Sequence, residues 1–285
     1  MNKKLLLFVP VALIALTALA LFIFTRDPYT SGLKVHFFDA GKADSALISY
    51  NDDSVSYNVL IDTGEQNLSA TLLSYLNSHN IKKLDYLIIT HFDKDHVGSA
   101  ADVLNSVEVS HVLQTNTKKD SDAYKNYLSA LSKQGITPTT VSDDSASLEF
   151  SLGPLRFAID GPEKIYSKKE SNNSSLIVAL NFGEKNFLFL GDAETDRLSD
   201  FLLTDLGNRS YNFIKFPYHG HFQDGLSELL EKTTPDFSVI TSSSKEPEDE
   251  ATLDLLKSKN IKFYLTRRGA VDVISCDGTV LEIRQ

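Results

Sequence analysis

Four apolar runs of strand length in this chain each lead into a metal-capable side chain with a glycine close by. YNVLIDTG reaches Asp62, and NFLFLGD carries its glycine just before Asp192. FIKFPYHG reaches His219, and LDYLIITHFDKDHVG passes through His91, Asp93, Asp95 and His96 within six positions. One such strand end is unremarkable, because Asp and Gly are ordinary turn residues. Four in one chain, one of them carrying two imidazoles and two carboxylates, are hard to assign to turns. Loops at strand ends are where a rigid scaffold holds its functional groups.

The rest of the pattern is consistent with a strand-built scaffold. Strands are expected at 33–40, 45–50 and 57–63, separated by GKAD and NDDS turns, as a β-meander. A helix-period segment follows at 66–78, with Leu68, Leu72, Leu73 and Leu76 on one face. The buried-strand run 84–90 precedes the polar loop, and AADVLN after Gly98 reads as a short helix. A strand at 109–115 and a helix at 122–135, closed by Gly135, end the first half. SDDSAS at 142–147 marks a loop between the halves. The second half repeats the plan, with strands at 154–160, 175–182, 186–191, 212–217, 236–241, 261–265, 270–275 and 279–284. Its helices are expected at 195–203, 225–231 and 249–258. Two packed sheets with helices outside account for this order.

The chain's 285 residues fit one large domain or two small ones. A formal net charge of −10 argues against a generic nucleic-acid coat, which needs Lys and Arg for phosphate contacts. A small anionic substrate is still compatible, because bound divalent ions bring their own positive charge. Cys276 is the single cysteine, so no disulfide within the chain and no Cys-based zinc site can form. Its apolar setting, AVDVISC, reads as that of a small buried hydrophobe.

The N-terminus is different in kind. Residues 1–4 are a basic end and residues 5–24, LLLFVPVALIALTALALFIF, carry no charge. Twenty residues rising about 1.5 Å each span roughly 30 Å, the thickness of a bilayer core. Either this is a signal peptide cleaved near ALA at 18–20, or it is an uncleaved anchor. Its continuation through Leu21–Phe24 favours the anchor. Lys3 and Lys4 then stay cytoplasmic, residues 25–32 form a linker, and the domain 33–285 faces outward.

In an extended loop, residues two apart point the same way, so His91 and Asp93 can face one metal ion. Asp95 and His96, entering the next helix, can face a second. Asp192 can bridge the two ions and His219 can complete the second site. Two ions about 3.5–4 Å apart stabilise the attacking and leaving oxygens of a displacement.

With THxxxDHxG, the upstream LIDTG and the downstream FLGDAE and YHG in this order, residues 33–285 resemble the metallo-β-lactamase superfamily. Within it, FDAGKADSALI and NNSSLIVAL are similar to the globular domain of the ComEC competence proteins and their free-standing relatives. The resemblance implies an α/β, four-layer αββα sandwich with the metals at one edge. It implies His91, Asp95, His96, Asp192 and His219 as ligands, with Asp62 orienting a ligand imidazole.

Some positions depart from the family. Asp93 stands where a histidine is usual, which makes the first site harder and Mn²⁺ competitive with Zn²⁺. The expected third histidine of that site is absent, and Asn172, Asn173 and Ser174 occupy its region. The first site is therefore weak, water-completed or filled only with substrate. GKAD also replaces a glycine-rich loop.

The expected activity is that of a metal-dependent hydrolase, a phosphodiesterase working through a metal-bound hydroxide, with Asp95, Asp192 and His219 as catalytic residues. The ComEC likeness points to nucleic acid, in particular single-stranded DNA; the charge favours a short oligonucleotide or another phosphodiester. The alternatives are a non-catalytic, membrane-anchored binding module, and a lactonase or β-lactamase-type hydrolase. Asn173 and His221 are expected near the ligands or substrate, His221 on the rim. His36, His79 and His111 read as structural. Asp39 and Asp44 are expected to fix the first turn, with lining of the site as the alternative, and Glu194 to cap a helix. Lys118–Lys119, Lys168–Lys169 and Arg267–Arg268 read as solvated pairs unless they border the cleft.

Overall fold

The computed structural model describes residues 31–285 apart from residues 53, 143–146 and 168. The apolar segment 5–24 and most of the linker lie outside these residues. Among the described ones, no helix is long and apolar enough to cross a membrane.

The chain opens with β1 (Gly32–Phe37), β2 (Ala46–Asn51) and β3 (Ser56–Ile61), an antiparallel meander as the turn signals predict. It continues through β4 (Lys83–Ile89), β5 (Glu108–Thr115) and β6 (Thr139–Val141), each parallel to the one before. A second sheet follows: β7 (Leu148–Leu152), β8 (Leu155–Asp160), β9 (Ile177–Phe182), β10 (Lys185–Phe189), β11 (Phe213–Lys215), β12 (Phe237–Ile240) and β13 (Lys262–Leu265). The chain then returns to the first sheet with β14 (Val271–Ser275), beside β1, and β15 (Glu282–Arg284). Helices α1 (Ser69–Ser78), α2 (Lys94–Val97), α3 (Ala100–Ser106) and α4 (Asp122–Gln134) follow strands of the first sheet. α5 (Thr195–Phe201), α6 (Leu226–Thr233) and α7 (Glu250–Ser258) follow strands of the second.

Three apolar layers hold this αββα sandwich together. Between the sheets, Phe37 packs against Phe189 and Phe213, with ring centroids 6.1 and 5.6 Å away. Outside the first sheet, Leu72 and Leu76 of α1 and Tyr127 and Leu131 of α4 meet Leu84, Leu87 and Ile89. Outside the second, Leu198, Leu229 and Leu256 meet Leu188, Ile214 and Ile240. The alternation in β1 places Leu33, Val35 and Phe37 in the inner layer. In α4, the Ser121 side chain caps Tyr124 N and Gly135 ends the helix at φ +67°, as its sequence predicts.

Several sequence expectations are corrected. β6 and the hairpin partner β7 are short strands without the apolar run that marks a buried one. Part of the polar loop is itself helical, as α2. Cys276 is exposed, because it lies just past the end of β14. Glu194 occupies the first position before α5 but makes no side-chain cap; its Oε1 accepts from Asn172 Nδ2 at 2.9 Å. Arg267 is not a solvated cation: its Nη2 lies 2.8 Å from an oxygen of the buried Glu248. His36 bonds Asp272 at 2.6 Å, and His36 and His79 stack on Tyr75 while His111 stacks on Tyr86.

Candidate metal centre

The centre is assembled from strand ends of both sheets. β3 and β4 run parallel with Ile61 opposite Ile88, so Asp62 and Thr90–His91 emerge side by side. Asp62 takes φ +56°, a left-handed conformation that aspartate tolerates better than most residues. Its fully buried carboxylate accepts from Thr90 N at 2.8 Å and Thr90 Oγ1 at 2.6 Å, and lies 2.8 Å from His96 Nδ1. That contact makes Nδ1 the donor and leaves the Nε2 lone pair for the centre.

Asp93 begins α2 with extended backbone, and α2 carries Asp95 and His96. Thr63 N donates to His96 O at 2.7 Å, and Asp44 N donates to Asp95 O at 3.0 Å, which pins this turn to the neighbouring strand ends. Gly98 is needed for the same reason. A Cβ there would lie 2.4 Å from Lys94 O and 2.7 Å from Gln66 N.

From the second sheet, β10 and β11 run parallel with Phe189 opposite Lys215. Asp192 N donates to Ser175 Oγ at 3.1 Å. Tyr218 and His219 both take positive φ, +47° and +51°, a costly conformation that recurs at functional sites. His219 Nδ1 lies 2.9 Å from Thr241 O, which again directs Nε2 inward.

Asp95, His96, Asp192 and His219 each offer one ligand atom within 4.8 Å of the others. His96 Nε2 and His219 Nε2 lie 3.3 and 3.0 Å from Asp192 Oδ2, and His219 Nε2 lies 3.4 Å from Asp95 Oδ2. Among the described residues, His91 Nε2, His96 Nε2, His219 Nε2 and Asp192 Oδ1 are buried and make no hydrogen bond. Buried polar atoms are rarely left so. Two imidazole nitrogens and two carboxylates form a donor set suited to Zn²⁺ or Mn²⁺, and these residues fit such an ion.

The electrostatics are strongly coupled. Burial pushes His96 down, but Asp192 and Asp62 outweigh it and hold the imidazole well above its usual range. His219 is raised to about 9 against its own burial, chiefly by Asp192. Burial raises Asp192 and Asp95, yet the neighbouring imidazoles hold both carboxyls below their ordinary value. His91 is lowered, first by burial and then by His96. A metal must compete with protons for these groups, so its binding releases protons.

The remaining expected residues fall differently. His91 Nε2 is 3.9 Å from Asp93 Oδ1. Asp93 is already engaged: its Oδ1 accepts from Ser171 Oγ at 2.6 Å and forms an ion pair with Lys119. Asn173 does not present its carbonyl to the histidines, because its Oδ1 accepts from Arg197 N at 3.2 Å and anchors the start of α5. His221 lies outside the four-residue cluster, partly exposed, against Tyr218 and 3.6 Å from Asp249.

Asp44, expected chiefly in the first turn with the site as the alternative, does line the centre, and Lys215 and Thr241 join it unforeseen from sequence. Asp39 is exposed, but Asp44 is buried, accepts from Thr241 Oγ1 at 2.5 Å and forms an ion pair with Lys215. Lys215 Nζ also lies 3.6 Å from Asp192 Oδ1 and donates to Gly191 O at 2.9 Å. A lysine inside the apolar run FIKF was the available signal, since a buried charge must be paired.

Residues 43–240 match the sequence profile of the Metallo-beta-lactamase superfamily, and the chain belongs to that family. It is similar to ComE operon protein 3 of Bacillus subtilis, 23% identical over 198 residues, covering 68% of this chain and 25% of the relative. It is also similar to Recombination protein 2 of Haemophilus influenzae, 24% identical over 219 residues, covering 75% and 25%. The chain thus spans about a quarter of the length of these curated relatives. The metallo-beta-lactamase fold protein YhfI from Bacillus subtilis superposes with a TM-score of 0.52 at 11% identity, covering 88% of this chain and 100% of that one. That likeness is one of fold.

Proposed function

We propose that this chain is a metal-dependent phosphodiesterase acting on a short single-stranded nucleic acid or another phosphodiester. The observation that carries the reading is the convergence of Asp95, His96, Asp192 and His219, whose buried imidazole Nε2 atoms make no hydrogen bond. When bound there, a divalent ion supplies a Lewis acid and lowers the pKa of a water.

The chain's own groups do the rest. Asp62 and the Thr241 carbonyl hold His96 and His219 in the tautomers that present Nε2. Lys215 offsets the charge of Asp44 and Asp192 so that the carboxylates can sit close together. Asp95, the most exposed of the four at 21%, faces the side from which substrate arrives. The likeness to a relative named as a recombination protein supports a nucleic-acid substrate. The net charge of −10 favours a short one. Residues 5–24 anchor the chain with the catalytic domain extracytoplasmic, or direct its secretion if they are cleaved.

The test is to measure bound metal and turnover on one sample of purified full chain. The substrates are bis(p-nitrophenyl) phosphate and a labelled single-stranded oligonucleotide, each with Mn²⁺ and with Zn²⁺. Turnover that Asp192→Ala abolishes supports the reading. Bound metal without turnover of either substrate sinks it in favour of a binding module.

A further inference from the structure

The position expected for a first metal ion is already contacted by a cation of this protein. Lys119 lies on the connection between β5 and α4 and reaches back to the start of α2. Its Nζ forms an ion pair with Asp93 Oδ1 and donates to Ser171 Oγ at 3.0 Å. Ser171 Oγ donates to the same Asp93 oxygen at 2.6 Å. The Lys119 and Asp93 side chains are 24% and 26% exposed, so solvent reaches the pair.

The neighbourhood offers a second ion little else. Asn173 Oδ1 is committed to Arg197 N. Among the described residues, no group of three metal-capable side chains contains His91 or Asp93. His91 Nε2 is the donor that argues for a second ion, since it is buried without a partner. Against it stands an ammonium in contact with the carboxylate that ion would need, and two cations on one carboxylate repel each other.

We propose that Lys119 takes the place of a second metal ion: the centre holds one divalent cation, at Asp95, His96, Asp192 and His219. The Lys119 ammonium supplies the other positive charge, facing a non-bridging oxygen of the substrate's phosphate. This deepens the phosphodiesterase reading and rests on it. A lysine in this role is a fixed point charge that needs no loading from solution.

The test is metal stoichiometry on the full chain, read by elemental analysis after equilibration with Mn²⁺ and by the Mn²⁺ paramagnetic resonance spectrum. The expected result is one ion per chain with an uncoupled spectrum in the wild type. Lys119→Met and Lys119→Gln are expected to take up two ions and show spin coupling. Asp93→Asn, which leaves the lysine in place, is expected to keep one ion. With one equivalent of Mn²⁺, inhibition by inorganic phosphate is expected to weaken about tenfold in Lys119→Met, the size of one charge-assisted contact.

Two coupled ions in the wild type overturn the proposal and leave the metal-hydrolase reading standing. So does one ion in both wild type and Lys119 variants, or loss of the ion in Asp93→Asn. Unchanged phosphate inhibition overturns the substrate contact. No bound ion in the wild type sinks the phosphodiesterase reading itself.

Discussion

His96 Nδ1 lies 2.8 Å from Asp62 Oδ2, with both side chains fully buried. Asp62 reaches no other member of the His–Asp cluster through a hydrogen bond, so its effect on the centre passes through that imidazole and through Thr90. In Asp62→Asn, one oxygen becomes an amide that donates, and either Thr90 or His96 loses its acceptor. A 10- to 100-fold loss of metal affinity is expected, in the range seen when an orienting partner of a ligand histidine is removed. The unmet buried donor adds a stability cost of about 1–3 kcal/mol. Metal titration and urea denaturation check both. Affinity within twofold of the wild type would show that His96 keeps its tautomer without Asp62.

Lys215 sits between two carboxylates supplied by different sheets. Replacing it with methionine leaves Asp44 and Asp192 buried without their cation, and breaking such a pair costs about 3–5 kcal/mol. The double variant Lys215→Met with Asp44→Asn is expected to recover part of that loss, because it removes the nearer of the two stranded charges. Denaturation of the metal-free protein measures the cycle. Simple additivity of the two changes would show that the groups are not coupled.

The parts legible in the sequence are those written as apolar runs with a polar end. Asp62, His91, Asp192 and His219 follow such runs, and the family motif gives their order. Lys215 was not legible as a functional group because its partner Asp44 comes from the opposite sheet, and Thr241, which bonds Asp44, lies 197 positions from it. Lys119 reads as half of a solvated pair with Lys118. Only the folding of the β5–α4 connection brings it to Asp93, while Lys118 stays exposed. α2 is four residues long, too short to show a helical period. Asn173 had the right location for a site residue, but Arg197 N, 24 positions later, claims its carbonyl.

The pair of Glu248 and Arg267 supports the turn that carries His219. Glu248 accepts from Arg267 Nη2 at 2.8 Å and from Ser242 Oγ at 2.7 Å, and a Cβ on Gly220 would touch its Cβ at 2.7 Å. Burial raises the Glu248 carboxyl, but Arg267 and Ser242 outweigh this and hold it below its ordinary value. A depressed folded-state value stabilises the protein above the unfolded glutamate pKa of about 4.3. That stabilisation is lost as pH falls through the lower folded value. Glu248→Gln is therefore expected to lower the melting temperature at pH 7, with the gap to the wild type closing below about pH 4. Melting curves from pH 3 to 7 check this, and a gap that stays constant across the range rules out the carboxylate as its source.

Gly98 tests whether the close approach at α2 holds the ligands in place. Its missing Cβ leaves room for Lys94 O at 2.4 Å, Gln66 N at 2.7 Å and Glu65 Cα at 2.7 Å. All three are backbone atoms or lie on the main chain, so a methyl group cannot be accommodated by turning a side chain. The turn from α2 into Gly98 must open and shift away from the 64–68 segment, and α2 carries Asp95 and His96 while that segment follows Asp62 closely. Gly98→Ala is expected to destabilise the fold by about 1–3 kcal/mol, the usual cost of overpacking. It is also expected to weaken metal binding, because the His96–Asp62 contact at 2.8 Å cannot survive that displacement unchanged. Ser99→Ala serves as the neighbouring control: it removes the hydrogen bond from Ser99 Oγ to Glu65 O at 2.6 Å but adds no atom at the contact. Thermal melting and metal titration on both variants separate the effects. If Gly98→Ala binds metal as the wild type does while Ser99→Ala does not, the position of α2 is set by that hydrogen bond and not by the close packing at Gly98.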